Sequence, residues 1–161
     1  MFNYKKILIV AFEKNKSNTA LSEIKEILTE NKLDHEIYDE SKDNNFYLSF
    51  DLVLVIGGDG SMLSAAKLFS ELDIPFLGVN LGKVGFMADL GANNLKDDLV
   101  PILSGKNLIE DKETIKCSYD GREYTAFNEI VLHTQKSYKL MEFEVEIDKN
   151  FVYRKRADGL I

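Results

Sequence analysis

The stretch LVLVIGGDGSMLSAAKLF, Leu52–Phe69, places three of the chain's ten glycines within four positions. A continuous apolar strand pattern, Asp51–Ile56, runs directly into Gly57-Gly58-Asp59-Gly60, and a helical pattern follows. Apolar strands of this kind are typical of parallel sheets that are buried on both faces. Because glycine weakens both strands and helices, the cluster indicates a requirement of the backbone at this point. The stretch therefore predicts a strand–loop–helix unit within an α/β sheet.

Residues 1–100 alternate between strand and helix patterns. The strand patterns are Lys6–Phe12, His35–Tyr38, Asp51–Ile56 and Ile74–Asn80, and the helix patterns are Ser17–Lys32, Ser61–Leu72 and Leu95–Leu103. Alternation of this kind predicts a parallel sheet that is flanked by helices. We therefore expect an α/β N-terminal domain over residues 1–100, which carries the GGDG loop.

The β-rich part of the chain, residues 101–161, has an all-β pattern after residue 104. The strand patterns Thr114–Tyr119 and Glu123–Ala126 flank Asp120-Gly121, which is the strongest short hairpin signal. The other strand patterns are Asn128–Thr134, the alternating Met141–Asp148, and Phe151–Arg156. Finished domains usually protect their sheet edges, and a thin layer of so few strands would leave them open. We therefore expect an all-β C-terminal domain that is incomplete, the first part of a larger one.

The overall composition narrows the class of protein. The net charge of −7 argues against general nucleic-acid binding, which usually requires a basic surface. No apolar run approaches the roughly 18 residues of a membrane span, so we expect no membrane partner. The single cysteine, Cys117, fits a reducing compartment, and we predict a cytoplasmic location. His35 and His133 are isolated in the sequence and predict no metal site built from side chains.

The GGDG loop has the features of a phosphate cradle. It follows a central strand, and ligands of open α/β sheets bind at the carboxyl ends of strands. Gly57, Gly58 and Gly60 would let backbone N–H groups approach phosphate oxygens. The helix that follows would add the positive end of its dipole.

Asp59 needs a separate explanation, because a carboxylate repels phosphate. It could help to place a divalent cation, or it could accept the proton of a hydroxyl group that attacks a phosphate. The alternative is structural, since aspartate is a favoured residue at the start of a helix and Asp59 could simply cap the helix that follows.

A second glycine-rich segment, GVNLGKVGFMA at 78–88, follows the next strand at the same sheet edge. Its alternative interpretation is an ordinary loop in which Phe86 fills the core. Asn128 and Glu129 place an amide beside a carboxylate within an apolar strand pattern, and the alternative is a solvent-facing pair. Lys83 and the basic run Tyr153–Arg156 are candidates for attracting an anionic nucleotide, although the run also fits a solvated strand face.

Together these segments resemble the NAD kinase family. The resemblance rests on GGDG at 57–60, GVNLGKVGFMAD at 78–89, FNE at 127–129 and RADGL at 156–160, in that family's order and spacing. It implies transfer of a phosphoryl group from ATP, or in some members polyphosphate, to the 2′-hydroxyl of the adenosine ribose of NAD. The product would be NADP, and Mg²⁺ or another divalent cation would be required.

The resemblance also implies roles for residues of the first domain. Asp59 would be the catalytic base that takes the proton of the 2′-hydroxyl, and it would contact NAD. Gly60 would let NAD lie close to the backbone. Phe86 would pack on the adenine, for which its ring offers a flat apolar face.

For the second domain, the resemblance implies that Asn128 and Glu129 hydrogen-bond NAD and that Arg156 and Asp158 contact it. Asp158 would reach a site in a neighbouring subunit, because the family forms homo-oligomers, dimers or tetramers. The family's fold is an α/β domain followed by a β-rich domain, with NAD between the two.

The sequence departs from the family's pattern at two places. Ser64 stands five positions after Asp59, where many members carry a basic residue, and the family's TP-x-GSTAY segment after DGL is not present. Two other hypotheses are open at this point. The first is a lipid kinase of the diacylglycerol or sphingosine type, since these kinases also carry GGDG and phosphofructokinase carries a similar loop. The second is a non-catalytic nucleotide-binding fragment, which would need no complete domain.

Overall fold

A computed structural model of the chain describes residues 2–12, 14–69, 72–82, 85–88, 90–135 and 139–161. The chain divides into two compact units, Met1–Asp111 and Lys112–Ile161. The domain boundary drawn from the sequence at residue 100 falls inside a helix of the first unit, Leu95–Leu103. The extent of the two predicted domains, 1–100 and 101–161, stays a prediction.

The first unit is built on a five-stranded parallel sheet. Its strands are β1 (Lys6–Val10), β2 (Asp34–Ile37), β3 (Leu52–Ile56), β4 (Phe76–Asn80) and β5 (Leu90–Gly91), in the order β2-β1-β3-β4-β5. Each strand is parallel to its neighbours. Its helices are α1 (Lys14–Glu30), α2 (Asn44–Tyr47), α3 (Asp59–Leu68) and α4 (Leu95–Leu103). The predicted α/β architecture is confirmed.

The strands bury alternate side chains on opposite faces of the sheet, as the two-residue period of a strand requires. In β1, Ile7 and Ile9 join a core cluster that also contains residues of α1 and α4. Leu8 and Val10 join a second cluster, which contains residues of α2 and α3. Helices therefore cover both faces, and this explains why the central strand β3 is buried at all five positions.

The central strands bring the glycine loop to one edge of the sheet. β3 and β4 are paired from Val53–Phe76 to Ile56–Val79. The amide of Gly57 then donates a hydrogen bond to the carbonyl of Val79 at 2.9 Å, which continues the pairing for one residue beyond β3. The GGDG loop therefore begins at the carboxyl end of β3, beside the end of β4.

The second unit consists of antiparallel strand pairs, as predicted for an all-β part of the chain. The strands are β6 (Ile115–Tyr119) with β7 (Arg122–Ala126), β9 (Met141–Ile147) with β10 (Asn150–Ala157), and β8 (Leu132–His133) with β11 (Gly159–Leu160). Asp120 and Gly121 both have positive φ, 50° and 71°, as a two-residue hairpin turn that follows strand twist requires. The predicted hairpin is confirmed.

Several elements differ from those predicted from the sequence. Helix α3 begins at Asp59 instead of Ser61 and ends at Leu68, while residues 70 and 71 lie outside the described residues. The strand predicted over Asn128–Thr134 is reduced to Leu132–His133, because only these two residues find partners on β11. The short elements α2 and β5 give no periodic signal and were not predicted.

Helices that are long and apolar enough to cross a membrane are not found among the described residues.

Candidate active site

A cleft of about 280 Å³ opens where β3 and β4 end. It is lined by residues of the end of β3 and the start of α3 and by residues of the end of β4: Ile56, Gly57, Gly58, Ser61, Asn80, Leu81 and Gly82. This is the edge at which open α/β sheets bind ligands. Pockets for drug-sized ligands have volumes of roughly 300–1,000 Å³, so this cleft lies just below the lower end of that range.

Glycine is required at the first position of the loop. Gly57 has a φ of +150°, a conformation that residues with a side chain rarely adopt. A Cβ atom there would lie 2.2 Å from the Oγ of Ser61. At Gly58 and Gly60, by contrast, a Cβ atom would meet no other heavy atom within 4 Å. The backbone at these two positions is therefore open to the approach of a ligand.

The start of α3 adds positive electrostatic potential to the loop. Gly58 is the N-cap residue, and its carbonyl accepts hydrogen bonds from the amides of Ser61 and Met62 at 2.9 and 3.1 Å. The first amides of a helix have no acceptor within the helix, and the helix dipole is positive at this end. The loop and the helix start together have the properties of a phosphate-binding site.

Asp59 does not cap α3. It is the first residue of the helix, and its carboxylate is directed to the second glycine-rich segment. Oδ2 accepts a hydrogen bond from the amide of Phe86 at 2.9 Å, and Oδ1 accepts one from the amide of Met87 at 3.0 Å. The capping interpretation of Asp59 was therefore wrong, and the carboxylate connects the two glycine-rich segments.

These bonds keep Asp59 ionised. The hydrogen bond from the Phe86 amide lowers the pKa of the Asp59 carboxyl most, and the bond from the Met87 amide has the next largest effect. Desolvation raises this pKa by a smaller amount, and the amide of Ala88 also lowers it. A carboxylate has about four positions that accept hydrogen bonds. The backbone amides leave Asp59 able to accept a further bond from a hydroxyl group of a ligand.

The lowered pKa predicts a pH-dependent contribution of Asp59 to stability. The folded chain favours the ionised form, so the contribution is complete above the ordinary pKa of about 4 and is lost as the pH falls through the lowered folded-state value. Thermal unfolding of the wild type and of Asp59→Asn, measured from pH 7 to pH 3, checks this. We expect the wild type to be more stable at pH 7 and the difference to shrink in acid. A difference that is independent of pH would contradict the prediction.

Phe86 is 99% exposed, so its ring does not fill the core and that interpretation was wrong. The next residues do pack inward, since Ala88 is fully buried and Met87 packs against the cluster that contains Met62. The segment therefore directs to solvent the aromatic ring of a residue whose backbone amide bonds the Asp59 carboxylate. An exposed flat ring in this position can stack on a base.

Two polar side chains shape the site through the backbone. Asn80 is only 6% exposed, and its Oδ1 accepts a hydrogen bond from the amide of Gly82 at 2.9 Å. The hydroxyl of Ser64 donates to the carbonyl of Gly60 at 2.9 Å, within α3. Asn80 was not predicted as a site residue, although a polar residue at the end of an apolar strand is a signal for one. Lys83 lies outside the described residues.

The remaining predicted site residues belong to the second unit. Asn128 and Glu129 are both exposed, in the segment between β7 and β8. Arg156 is also exposed and lies opposite Glu142 in the β9–β10 pair. The carbonyl of Asp158 accepts a hydrogen bond from the amide of Thr134 at 3.0 Å. The roles of these four residues in binding stay predictions.

Residues 7–107 match the family model of the ATP-NAD kinase N-terminal domain. The chain is similar to the NAD kinase of Erwinia tasmaniensis, with 43% identity over 116 residues that cover 69% of this chain and 40% of that protein. The NAD kinase of Serratia proteamaculans is 44% identical with the same coverage. The chain thus spans about 40% of the length of these curated relatives.

Two solved structures share the fold. A crystal structure of an NAD kinase from Archaeoglobus fulgidus in complex with ATP has a TM-score of 0.75 and 22% identity, over 96% of this chain and 58% of that one. The structure of yeast NADH kinase complexed with NADH has a TM-score of 0.82 and 20% identity, over 96% of this chain and 53% of that one.

Proposed function

Because the chain belongs to the ATP-NAD kinase family, we propose that it acts in phosphoryl transfer from ATP to the 2′-hydroxyl of the adenosine ribose of NAD, giving NADP. One observation carries this proposal: the Asp59 carboxylate, which belongs to a glycine loop suited to phosphate, accepts the backbone amide of Phe86, whose exposed ring is suited to a base. Polyphosphate is a second candidate donor. Family membership favours NAD over a lipid as the acceptor.

The loop from Gly57 to Gly60 would hold the phosphates of a nucleotide. The cleft at Gly57 and Gly58 has the volume for phosphate groups, and the start of α3 supplies positive potential. Phosphoryl transfer relies mainly on positioning and on stabilising charge, so a cradle of backbone amides supplies much of what the reaction needs.

Asp59 would act on the attacking hydroxyl. The 2′-oxygen forms a bond to the γ-phosphorus of ATP, the bond from that phosphorus to the bridging oxygen breaks, ADP leaves, and the hydroxyl proton passes to the Asp59 carboxylate. A carboxylate with a lowered pKa is a weak base. In a loose transition state, however, the hydroxyl becomes acidic only as its bond to phosphorus forms, so Asp59 can orient it early and accept the proton late.

Phe86 would stack on the adenine, and Asn128, Glu129, Arg156 and Asp158 would contact NAD. The exposure of the Phe86 ring and of these four polar side chains supports such contacts. The family resemblance further supports a cytoplasmic homo-oligomer, a dimer or tetramer, in which Asp158 reaches a neighbouring subunit. Light scattering after size-exclusion chromatography measures the number of subunits.

A divalent cation, Mg²⁺ in the simplest case, would be bound together with ATP. No group of three His, Cys, Asp or Glu side chains suited to a metal occurs among the described residues. Mg²⁺ usually retains several waters and binds through substrate phosphates and one or two carboxylates, so it fits this site without a cage of side chains. Asp59, which lies within the phosphate loop, is a candidate ligand, and the cation would neutralise charge on the phosphates.

The test is NADP formation from NAD, ATP and Mg²⁺, followed with a dehydrogenase that accepts only NADP. Matched reactions contain polyphosphate in place of ATP, or diacylglycerol vesicles in place of NAD. We expect NADP with ATP as donor and no phosphorylated lipid. Binding of NAD without formation of NADP would instead support a nucleotide-binding fragment, and phosphorylation of the lipid alone would overturn the proposal.

A further inference from the structure

Two glycines are in close contact with the segment that carries Phe86. A Cβ atom at Gly85 would lie 2.3 and 2.5 Å from the two carboxylate oxygens of Asp59. A Cβ atom at Gly78 in β4 would lie 2.7 Å from the Cα of Ala88 and 3.0 Å from the Sδ of Met62. Real Cβ atoms essentially never lie closer than 3.0 Å to another heavy atom, so a side chain at either position would displace Asp59 or Ala88.

Glycine is needed at position 85 because the structure leaves no space there for a side chain. What prevents alanine is the Asp59 carboxylate, which occupies the place of the missing side chain. The same carboxylate accepts the amides of the next two residues, Phe86 and Met87. The absence of a side chain at Gly85 therefore leaves the space that the Asp59 carboxylate occupies when it contacts this segment.

The position of the Phe86 ring depends on this contact. The ring is 99% exposed and has almost no packing of its own. Its backbone is fixed on one side by the hydrogen bond to Asp59 and on the other by Ala88, which is fully buried against Gly78. Release of the Asp59 contact would leave the backbone at residue 86 without its amide partner.

We propose that Gly85 is a positioning residue, which, by admitting the Asp59 carboxylate to the amides of Phe86 and Met87, fixes the carboxylate and the aromatic ring in one arrangement for NAD. This inference rests on the proposed function and deepens it. A single carboxylate then holds the ring that binds the base and orients the hydroxyl that reacts. Gly85→Ala tests the hydrogen bonds by themselves, because the variant retains the Asp59 carboxylate but displaces it from the amides of Phe86 and Met87.

Hydrogen exchange of the backbone amides tests the contact without any substrate. Exchange is measured by NMR for Phe86 and Met87 in the wild type, in Gly85→Ala and in the control Gly91→Ala. A Cβ atom at Gly91 would meet no heavy atom within 4 Å. We expect exchange about tenfold faster or more in Gly85→Ala, as for loss of a hydrogen bond to a charged group, and unchanged exchange in Gly91→Ala. Equal exchange in all three proteins would overturn the proposal.

A second background tests whether Gly85 acts through Asp59. Asp59→Ala removes the oxygens that a Cβ atom at position 85 would strike. If the proposal is right, Gly85→Ala accelerates exchange in the wild type but adds little in the Asp59→Ala background, which is the non-additivity expected of residues in contact. Equal acceleration in both backgrounds would show a general structural effect and would overturn the proposal.

Steady-state kinetics test the link to the reaction. We expect Gly85→Ala to raise KM for NAD and to lower kcat/KM by about 10- to 100-fold, because small displacements of positioned groups reduce rates by such factors. Gly91→Ala should match the wild type. A wild-type protein that forms NADP while Gly85→Ala has unchanged kinetics would refute the positioning role alone. Failure of the wild type itself to form NADP would instead refute the proposed function.

Discussion

The Asp59→Asn variant is expected to form NADP about 10²- to 10⁴-fold more slowly than the wild type, the range that a general base contributes. Asparagine has nearly the same shape, but its amide group cannot take the proton of the ribose hydroxyl. One of its two terminal atoms would also be an N–H donor facing the amide of Phe86 or Met87, where the carboxylate now accepts at 2.9 and 3.0 Å. The measurement is kcat with saturating NAD and ATP.

Asp51→Asn is a matched control for this substitution. Oδ2 of Asp51 accepts hydrogen bonds from the amides of Lys5 and Lys6, both at 2.9 Å, so it too is a carboxylate held by two backbone amides. It precedes β3, whereas Asp59 follows that strand, so it lies at the opposite edge of the sheet. We expect Asp51→Asn to retain wild-type kcat. If Asp59→Asn also stayed within about twofold of the wild type, Asp59 would not be the base.

Gly57→Ala is expected to reduce the free energy of unfolding by about 1–3 kcal/mol and to reduce NADP formation with it. The backbone at this position has a φ of +150°, and the new Cβ atom would lie 2.2 Å from the Oγ and 2.6 Å from the Cβ of Ser61. Relief of the contact requires movement of the turn between β3 and α3, which forms the phosphate loop. Urea unfolding and kcat measure the two effects.

Two further variants separate the steric contact with Ser61 from the effect of the backbone conformation at Gly57. Gly58→Ala adds a methyl group to a position where no heavy atom lies within 4 Å and φ is −90°, so we expect a smaller loss of stability than in Gly57→Ala. Ser61→Gly removes both atoms that the alanine at position 57 would strike. In that background Gly57→Ala should lose less stability, with the difference giving the steric part of the effect. Equal losses of unfolding free energy in Gly57→Ala and Gly58→Ala would show that glycine is not specifically required at position 57.

The main features of the fold could be predicted because their signals are local. The apolar run of β3 before three glycines marks the carboxyl end of a buried strand, and Asp120-Gly121 marks a hairpin turn whose φ angles are both positive. The start of α3 was placed two residues late, because Gly60 has a low helix propensity and hides the first turn. The length of β8 depends on β11, a partner distant in sequence.

The central contact of the site could not be read from the sequence. Asp59 and Phe86 are 27 residues apart, and no local pattern indicates that one binds the backbone of the other. The glycine loop and the importance of Asp59 could be predicted, but its connection to Phe86 follows from the adjacent ends of β3 and β4. Gly85 gave a weaker signal, because a glycine before an aromatic residue indicates a close contact of the backbone but does not identify the group that makes it.

The most direct test of the central claim is an NMR titration that follows the backbone amides of both glycine-rich segments. NAD and ATP are added separately to the isotope-labelled chain. We expect ATP to change the resonances of Gly57, Gly58 and Gly60, and NAD to change those of Phe86 and Met87. If both nucleotides leave these amides unchanged and perturb another surface, the two segments do not form the substrate site.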